Sequence, residues 1–427
     1  MLQIVLYFIL FFLTVMFGMP IAIALGLTGI LIASLQGIFN PVLLGHVMYQ
    51  GVDHFSLLAV PFFMLAGTLM EAGGISRRLM DFSFALVGRM RGGLAQVAVV
   101  LSMLFAGLSG SAVADTAAVG SLIIPSMREK GYREGFSAAL IAAGGAIGPI
   151  IPPSIPMVIY AVIANVSVAK LFLGGVIPGV AFGLFLMAYS YYEALRHDYP
   201  RETSAFSLGK LARTFQGGFL AFLMPVIILG GILSGIFTAT ESSVVAAVYA
   251  FVVGKFIYGE LKWKELPEVF ARAARNTSSV MFIIAVASFL SWVLTSQQIP
   301  QTITKTLFSI SQDPLIILIL LNIFILFLGC FIDAVSILVL ISPVALPLIK
   351  LSGIDPVYFG VLLVLNICIG ALTPPVGTCL FVASGVGNVD LEKSSRAILP
   401  IVLIAVISLF LAILFPSVIM YLPTMIQ

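Results

Sequence analysis

Two carboxylates, Asp115 and Asp333, stand inside stretches that are otherwise apolar. A charge at bilayer depth costs roughly 2.5–3.5 kcal/mol on insertion scales, so such a residue generally has a partner or a task. Hydroxyls lie near both. Ser109 and Ser111 precede Asp115, and Ser154, Thr373 and Thr378 flank two proline pairs, Pro152-Pro153 and Pro374-Pro375. Proline removes a backbone donor and pushes the preceding residue out of the helical region. A helix interrupted there presents bare carbonyls, which suit a hard cation such as Na⁺. Its half-helix N-termini present N–H groups, which suit an anion. The chemistry is coordination of an ion and an anionic cargo. For both acids the competing reading is a cap on the helix that follows.

Other chemistries are poorly served. His46, His54 and His197 all fall in expected loops, which disfavours a Ser-His dyad at membrane depth. No HExxH zinc motif and no GxxxxGK phosphate loop occurs. Cys330, Cys368 and Cys379 are odd in number and lack CxxC spacing, so they read as packing residues and not as a disulfide framework or zinc site. No transition metal and no organic cofactor is expected. An intramembrane aspartyl protease using Asp115 and Asp333 is an enzymatic alternative, but the acids lack a GxGD context. A pure channel is a further alternative. Glu241, after Thr238-Ala239-Thr240, reads as a surface helix start or a buried contact, and Asp53 and His54 as a solvated loop or a docking point for an external partner.

The elements that must position these residues are membrane helices. Of 427 residues, 61% are hydrophobic and 9% charged, against roughly 25% charged in soluble domains. That much apolar side chain would cover at most about 13 spans, and it excludes a soluble enzyme, a nucleic-acid binder and a disordered scaffold. Apolar runs cover 2–36, 56–70, 94–127, 136–164, 171–192, 217–237, 242–258, 277–296, 314–349, 357–386 and 397–422. A transmembrane barrel would instead alternate over ten-residue segments. Before Arg77 there is no basic residue to form a signal-peptide n-region, so the run that begins Met1-Leu2-Gln3 is expected to be retained as a membrane helix.

Lysine and arginine orient the runs. Loops 71–93, 126–135, 193–216, 255–275 and 387–396 hold 18 of the 21. Lys170, Lys305 and Lys350 lie singly in other loops, and loop 37–55 has none. The basic loops are therefore cytoplasmic. The N-terminus is expected on the cytoplasmic side and the C-terminus on the periplasmic side. Run 94–127 lies between two basic loops, so it enters and leaves on one side, around Gly107-Leu108-Ser109-Gly110-Ser111. Run 314–349 does the same from the other side, around Gly329-Cys330-Phe331. Each reads as a re-entrant hairpin or two short spans.

Two segments match in spacing. Asp115 to Pro125 equals Asp333 to Pro343, Gly148 to Pro152 equals Gly370 to Pro374, and Pro153 to Pro178 equals Pro375 to Pro400. The second copy carries four extra residues between Pro343 and Gly370. With the charge signal, this predicts an all-α polytopic fold with inverted-topology repeats, two re-entrant hairpins and two proline-broken helices, as in secondary transporters. Residues 1–55 form an N-terminal scaffold helix and outer loop. Residues 56–192 form the first repeat, with hairpin 94–127 and broken helix 136–164. Central scaffold helices and cytoplasmic loops occupy 193–275. The second repeat is 276–396, with hairpin 314–349 and broken helix 357–386, and 397–427 is a C-terminal helix.

Pro61-Phe62-Phe63-Met64-Leu65-Ala66-Gly67, Arg89-Met90-Arg91-Gly92-Gly93-Leu94, Ser109-Gly110-Ser111, Ile151-Pro152-Pro153-Ser154 and Leu372-Thr373-Pro374-Pro375-Val376-Gly377 together resemble the large membrane subunit of tripartite ATP-independent periplasmic (TRAP) transporters, over essentially the whole chain. The resemblance implies a Na⁺-driven importer of organic acids in the bacterial inner membrane, working by an elevator movement. It implies a separate small four-helix membrane subunit and a soluble periplasmic substrate-binding protein as partners, besides the bilayer and a small organic acid anion, and no nucleic acid. Carried over by motif, Na⁺ would be held by Ser109, Ser111, Gly329, Cys330 and Asp333 at the hairpin tips, and by Gly148, Gly370 and Thr373 at the breaks. The anion would lie near Pro153, Ser154, Pro375, Gly377 and Thr378. Asp115 departs from the small or polar residue expected there, leaving its role between ion ligand and structural group. The likeness leans towards sialic acid over C4-dicarboxylates. An ion-coupled transporter that needs no binding protein is the alternative.

Overall fold

The computed structural model describes residues 2–201 and 207–426, which are helical with no strand among them. Met1, residues 202–206 of the expected loop 193–216, and Gln427 lie outside the described residues. The first half contains α1 (Leu2–Met16), α2 (Ile21–Leu35), α3 (Pro41–Val52), α4 (Ala59–Ala72), α5 (Ile75–Val87), α6 (Gly93–Ser109), α7 (Ala112–Glu129), α8 (Glu134–Ala146), α9 (Ile155–Ala164) and α10 (Val168–Arg196). The second contains α11 (Leu208–Leu233), α12 (Ala239–Val252), α13 (Leu266–Ser296), α14 (Ile299–Ile310), α15 (Pro314–Gly329), α16 (Ala334–Leu351), α17 (Pro356–Gly370), α18 (Thr378–Gly387), α19 (Leu391–Leu414) and α20 (Pro416–Met420). Seven helical segments among the described residues are long and apolar enough to cross a membrane. On α19, Leu399, Leu403, Ile407, Leu411 and Leu414 are exposed along one face, while Ile398, Ile401, Ala405, Leu409 and Ile413 are buried on another. A helix apolar on its exposed face suits a hydrocarbon solvent.

Run 2–36 is not one helix. Gly18 takes φ +77° and Pro20 supplies no N–H, so the run splits into α1 and α2. The two fold back on each other, with Gln36 Nε2 donating to Tyr7 Oη at 2.8 Å. α2 runs parallel to α13, since Gly26 faces Val286 and Gly29 faces Phe289. α13 rises from the basic loop 255–275, so α2 rises from that face too. The start of α1 then lies on the opposite face, with loop 37–55. This corrects the expectation of a single first helix; the extra turn at Gly18 reverses the chain. Two expected loops also contain helices. His46 lies on α3, and the basic stretch 71–93 contains α5. α5 buries Ile75, Leu79, Ser83 and Val87 at every fourth position and leaves Arg77, Arg78 and Asp81 off that stripe. An amphipathic helix of this kind has no continuous apolar run to betray it. At about 20 Å it is too short to span. Glu241 closes a capping box with Thr238 at the start of α12.

The same order of elements occurs twice: a short amphipathic helix, a pair of antiparallel helices, a helix ending at a Pro-Pro turn, a short helix, and a long helix with an internal proline. The register differs from the one read off the acids. Ser111 caps α7 and Asp333 caps α16, each of 18 residues. On that basis Ser111 and Asp333, Pro125 and Pro347, Gly148 and Gly370, and Pro178 and Pro400 are all 222 positions apart. Pro125 pairs with Pro347, not Pro343, and the four-residue insertion disappears. The Asp115–Asp333 pairing was one helical turn out, because both acids stand near a helix start but only Asp333 is the cap.

The two sets interlock. α4 packs on α12, and α13 packs on α2 and α3. Each helix pair packs on its own broken helix, α7 on α8 and α15 on α17. The short helices after the breaks cross over, α9 against α16 and α18 against α7 and α8. At the second pair the backbones nearly touch: a Cβ built on Gly370 would fall 2.5 Å from the Gly329 Cα. One layer deeper, Asn366 Nδ2 donates to the Asn322 carbonyl and to Asn322 Oδ1, both at 2.8 Å and fully buried. In the first set Ser102 of α6 faces Gly144 of α8, where a Cβ on Gly144 would lie 2.4 Å from the Ser102 hydroxyl.

Gly370→Val is expected to lower thermal stability by about 1–3 kcal/mol through overpacking, whereas Gly385→Ala, which meets open space, leaves it unchanged. Thermal unfolding of the purified chain in detergent reads both. Asn366→Leu is expected to cost about 1–3 kcal/mol by stranding Asn322, and Asn322→Leu with Asn366→Leu together less than the sum of the two singles.

Candidate functional site

Four chain segments meet where the hairpin tips touch the Pro-Pro turns. At the first tip, α6 ends on Gly110, in the left-handed region at φ +61°. A Cβ there would fall 2.6 Å from the Pro153 carbonyl oxygen, so both the turn and the close approach require glycine. Ser111 begins α7, its hydroxyl accepting from Ala114 N–H at 3.5 Å, and its own N–H donates to Ser109 Oγ at 3.1 Å. Ser109 Oγ donates in turn to Asp115 Oδ1. Asp115 sits in the first turn of α7, 1% exposed. Its other oxygen, Oδ2, is buried with no hydrogen-bond partner among the described residues. That oxygen faces the first break, for a Cβ on Gly148 would lie 2.3 Å from it. Cys379, on α18 after the second break, lies next to Asp115 and Thr116.

The second tip is built differently. Asp333 accepts from the N–H groups of Val335 and Ser336, both at 3.1 Å, and from the Ser336 hydroxyl at 2.5 Å. Its carboxylate is thus committed to its own helix start. The Cys330 carbonyl accepts from Val376 N–H at 3.3 Å, tying the tip to the second Pro-Pro turn, while the Cys330 thiol bonds back to the Leu326 carbonyl at 3.4 Å. Thr373 donates to the Ile369 carbonyl at 2.8 Å. Both turns contain cis bonds, Pro152-Pro153 and Pro374-Pro375.

Of the residues singled out as cation ligands, Ser109 and Gly148 converge with Asp115, and Gly329, Cys330, Gly370 and Thr373 converge at the second break. Of those singled out for the anion, Ser154 is fully buried and caps α9 by accepting from Met157 N–H at 3.3 Å. Pro153 lies under Gly110. Pro375 is exposed, Gly377 takes φ +46°, and Thr378 is the first residue of α18.

A cavity of about 620 Å³ leads away from the first tip between α4, α7 and α13. Ser109, Ser111 and Asp115 line its inner end, and Glu71 and Arg272 its outer part, where the two pair at 3.5 Å. Arg272, Asn276 and Ser279 line one wall. Sequence reading did not single out this wall, although polar groups at i, i+4 and i+7 of a membrane helix mark a face turned away from lipid. It also missed the Asn322–Asn366 pair, whose signal is two amides inside continuous apolar runs.

The arrangement brings hydroxyl, carboxylate and backbone oxygens together at the two breaks. The aspartyl-protease alternative gives way, since Asp333 is held as a helix cap. The family described as "Tripartite ATP-independent periplasmic transporter, DctM component" matches residues 8–418. The chain is 41% identical to the 2,3-diketo-L-gulonate TRAP transporter large permease protein YiaN of Escherichia coli, covering 94% of each chain. It is 38% identical to the sialic acid large permease SiaM of Vibrio cholerae, covering 95% of each. It is 41% identical to the C4-dicarboxylate large permease DctM of Pseudomonas aeruginosa, covering 94% of this chain and 93% of that one. Its fold is similar to the YdaH transporter of Alcanivorax borkumensis, with a TM-score of 0.62 at 15% identity and 87% of each chain covered. A family match over nearly the whole length, with relatives near 40% identity, establishes that this multi-pass membrane protein belongs to the DctM component family, the large permeases of TRAP transporters.

Proposed function

We propose that the chain is the transport subunit of a Na⁺-coupled importer of small organic acid anions in the bacterial inner membrane. The observation that carries this reading is the buried, unpartnered Oδ2 of Asp115, set against Gly148 with Ser109 on the other carboxylate oxygen. A buried carboxylate oxygen without a donor is costly, and a bound cation is the simplest way to satisfy it. In this reading Ser109, Ser111, Asp115 and the carbonyls around Gly148 hold one Na⁺. Gly329, Cys330, Gly370 and Thr373 hold another, with Asp333 shaping the second tip. The anion sits between the tips and turns, near Pro153, Pro375, Gly377 and Thr378, with Ser154 fixing the first turn from behind.

The 222-residue recurrence and the basic loops support inverted-topology repeats with re-entrant hairpins. The amphipathic α5, joined by packing to both α11 and α6, supports an elevator movement in which the hairpin domain slides against a scaffold. Both termini then lie on the periplasmic face, and the cavity lined by Arg272 opens to the cytoplasm. Family membership supports a separate small membrane subunit and a periplasmic binding protein as partners. Relatives carrying diketogulonate, sialic acid and C4-dicarboxylate in their names are about equally similar, so the cargo class is an organic acid without a lean to sialic acid.

Uptake into liposomes, with the small subunit and binding protein supplied, tests the coupling. Organic acid uptake is expected to require an inward Na⁺ gradient and to fall to background when the binding protein is omitted. Asp115→Asn is expected to reduce uptake at low Na⁺ at least tenfold and to raise the Na⁺ concentration for half-maximal rate, a loss of roughly 1.4 kcal/mol or more in ion binding. Wild-type Na⁺ dependence in Asp115→Asn would overturn the ion site. For the cavity, Asn276→Cys is expected to react with a membrane-impermeant thiol reagent only from the cytoplasmic side, and the native Cys368 and Cys379, both fully buried, from neither.

A further inference from the structure

On the face that carries the basic loops, a second cavity, of about 920 Å³, lies between the C-terminal end of α5, the end of α7 and the first turns of α11. Arg89, Lys130, Lys210 and Arg213 line it, with Asp81 the one carboxylate among its described lining residues. No ion pair among the described residues involves Lys210 or Arg213. The same end of α11 exposes a row of large apolar groups: Leu208 is 72% exposed, Phe215 43% and Phe219 47%. Phe215 is anchored between Phe82 of α5, at 6.0 Å between ring centroids, and Phe222, at 5.5 Å. A concave, cation-rich pocket directly beside an exposed aromatic strip at the cytoplasmic membrane boundary has two kinds of surface that an anionic phospholipid satisfies together. The cations take a phosphate headgroup, and the strip takes its acyl chains. A soluble phosphate would use the first and leave the second to water.

We propose that this cavity is a binding site for the phosphate headgroup of an anionic phospholipid of the cytoplasmic leaflet, with acyl chains lying along Leu208, Phe215 and Phe219. Lys130 ends the second hairpin helix, and Lys210 and Arg213 belong to α11, so the headgroup bridges the two elements. A lipid bound here strengthens the contact between hairpin and α11 in the conformation described.

The test uses the purified full-length chain, with cardiolipin, phosphatidylglycerol, phosphatidylcholine and inorganic phosphate as probes. Binding is read by native mass spectrometry and by the shift in thermal unfolding. Cardiolipin and phosphatidylglycerol are expected to bind and stabilise, and phosphatidylcholine and inorganic phosphate not to. Lys210→Gln with Arg213→Gln is expected to weaken cardiolipin binding roughly 30-fold, about fivefold for each cation removed. Lys262→Gln with Lys264→Gln, the same charge change in an exposed loop on the same face, is expected to leave it unchanged. If the double variant fails to fold, the single variants Lys210→Gln and Arg213→Gln carry the test, each at about fivefold. Equal binding of phosphatidylcholine, equal protection by inorganic phosphate, or wild-type affinity in the variants would overturn the site.

Discussion

A bilayer offers no hydrogen bonds, so every backbone group that leaves a helix within it has to be satisfied by protein, water or cargo. The two Pro-Pro turns create such groups in the middle of the molecule, and much of the architecture answers them. Each turn is covered by the tip of a helix pair: the Pro153 carbonyl lies under Gly110, and Val376 N–H is bonded to the Cys330 carbonyl. The small residues follow from the same need. Gly329 against Gly370, and Gly145 and Gly148 against the first turn of α7, let backbone come close enough to cover backbone. What is left over after this covering is the chemistry: carbonyls facing inward, and one carboxylate oxygen on Asp115 that the protein does not satisfy.

The two halves answer the constraint with different chemistry. At the second tip the acid is consumed by capping, with three donors on Asp333. At the first tip a serine takes the cap, and the acid, four residues further on, is free to face the break. Where the second half has the Asn322–Asn366 pair, the first sets Ser102 against Gly144, and the buried Ser102 hydroxyl has no hydrogen-bond partner among the described residues. The order of elements is shared between the halves while side-chain chemistry is not.

Much of this was legible in the sequence, because hydrocarbon is an exacting solvent. The scarcity of charge, the basic loops, the glycine tips and the paired prolines each have one physical cause, and the two helix pairs and two breaks appear where those signals stand. The misreadings share a cause as well. α5 and the reversal at Gly18 carry little hydropathy signal, since an amphipathic helix interrupts an apolar run and a tight turn of Phe17-Gly18-Met19-Pro20 hardly does. Residue identity misled where helix position decides function. Asp115 matched Asp333 as a letter, yet stands one turn deeper, and only coordinates reveal that its free oxygen meets Gly148. The wall of Arg272, Asn276 and Ser279 was overlooked although its polar groups recur at helical spacing, because Arg272 was counted with the basic loop 255–275 and not with the helix it belongs to.

The constant offset of 222 has a bearing on how the chain tolerates change in length. From Ser111 to Pro153 and from Ser111's counterpart Asp333 to Pro375 the spacing is the same, even though few side chains agree; beyond the turns the register moves by one, since the helix caps Ser167 and Asp390 stand 223 apart. A helix turns about 100° per residue, so a single deletion between tip and break would swing every downstream carbonyl off its partner. Spacing in these two stretches is therefore a rigid ruler, and side-chain identity is the adjustable part. Room for inserted tags, reporters or natural extensions lies outside these stretches, in connections such as the loop of α3.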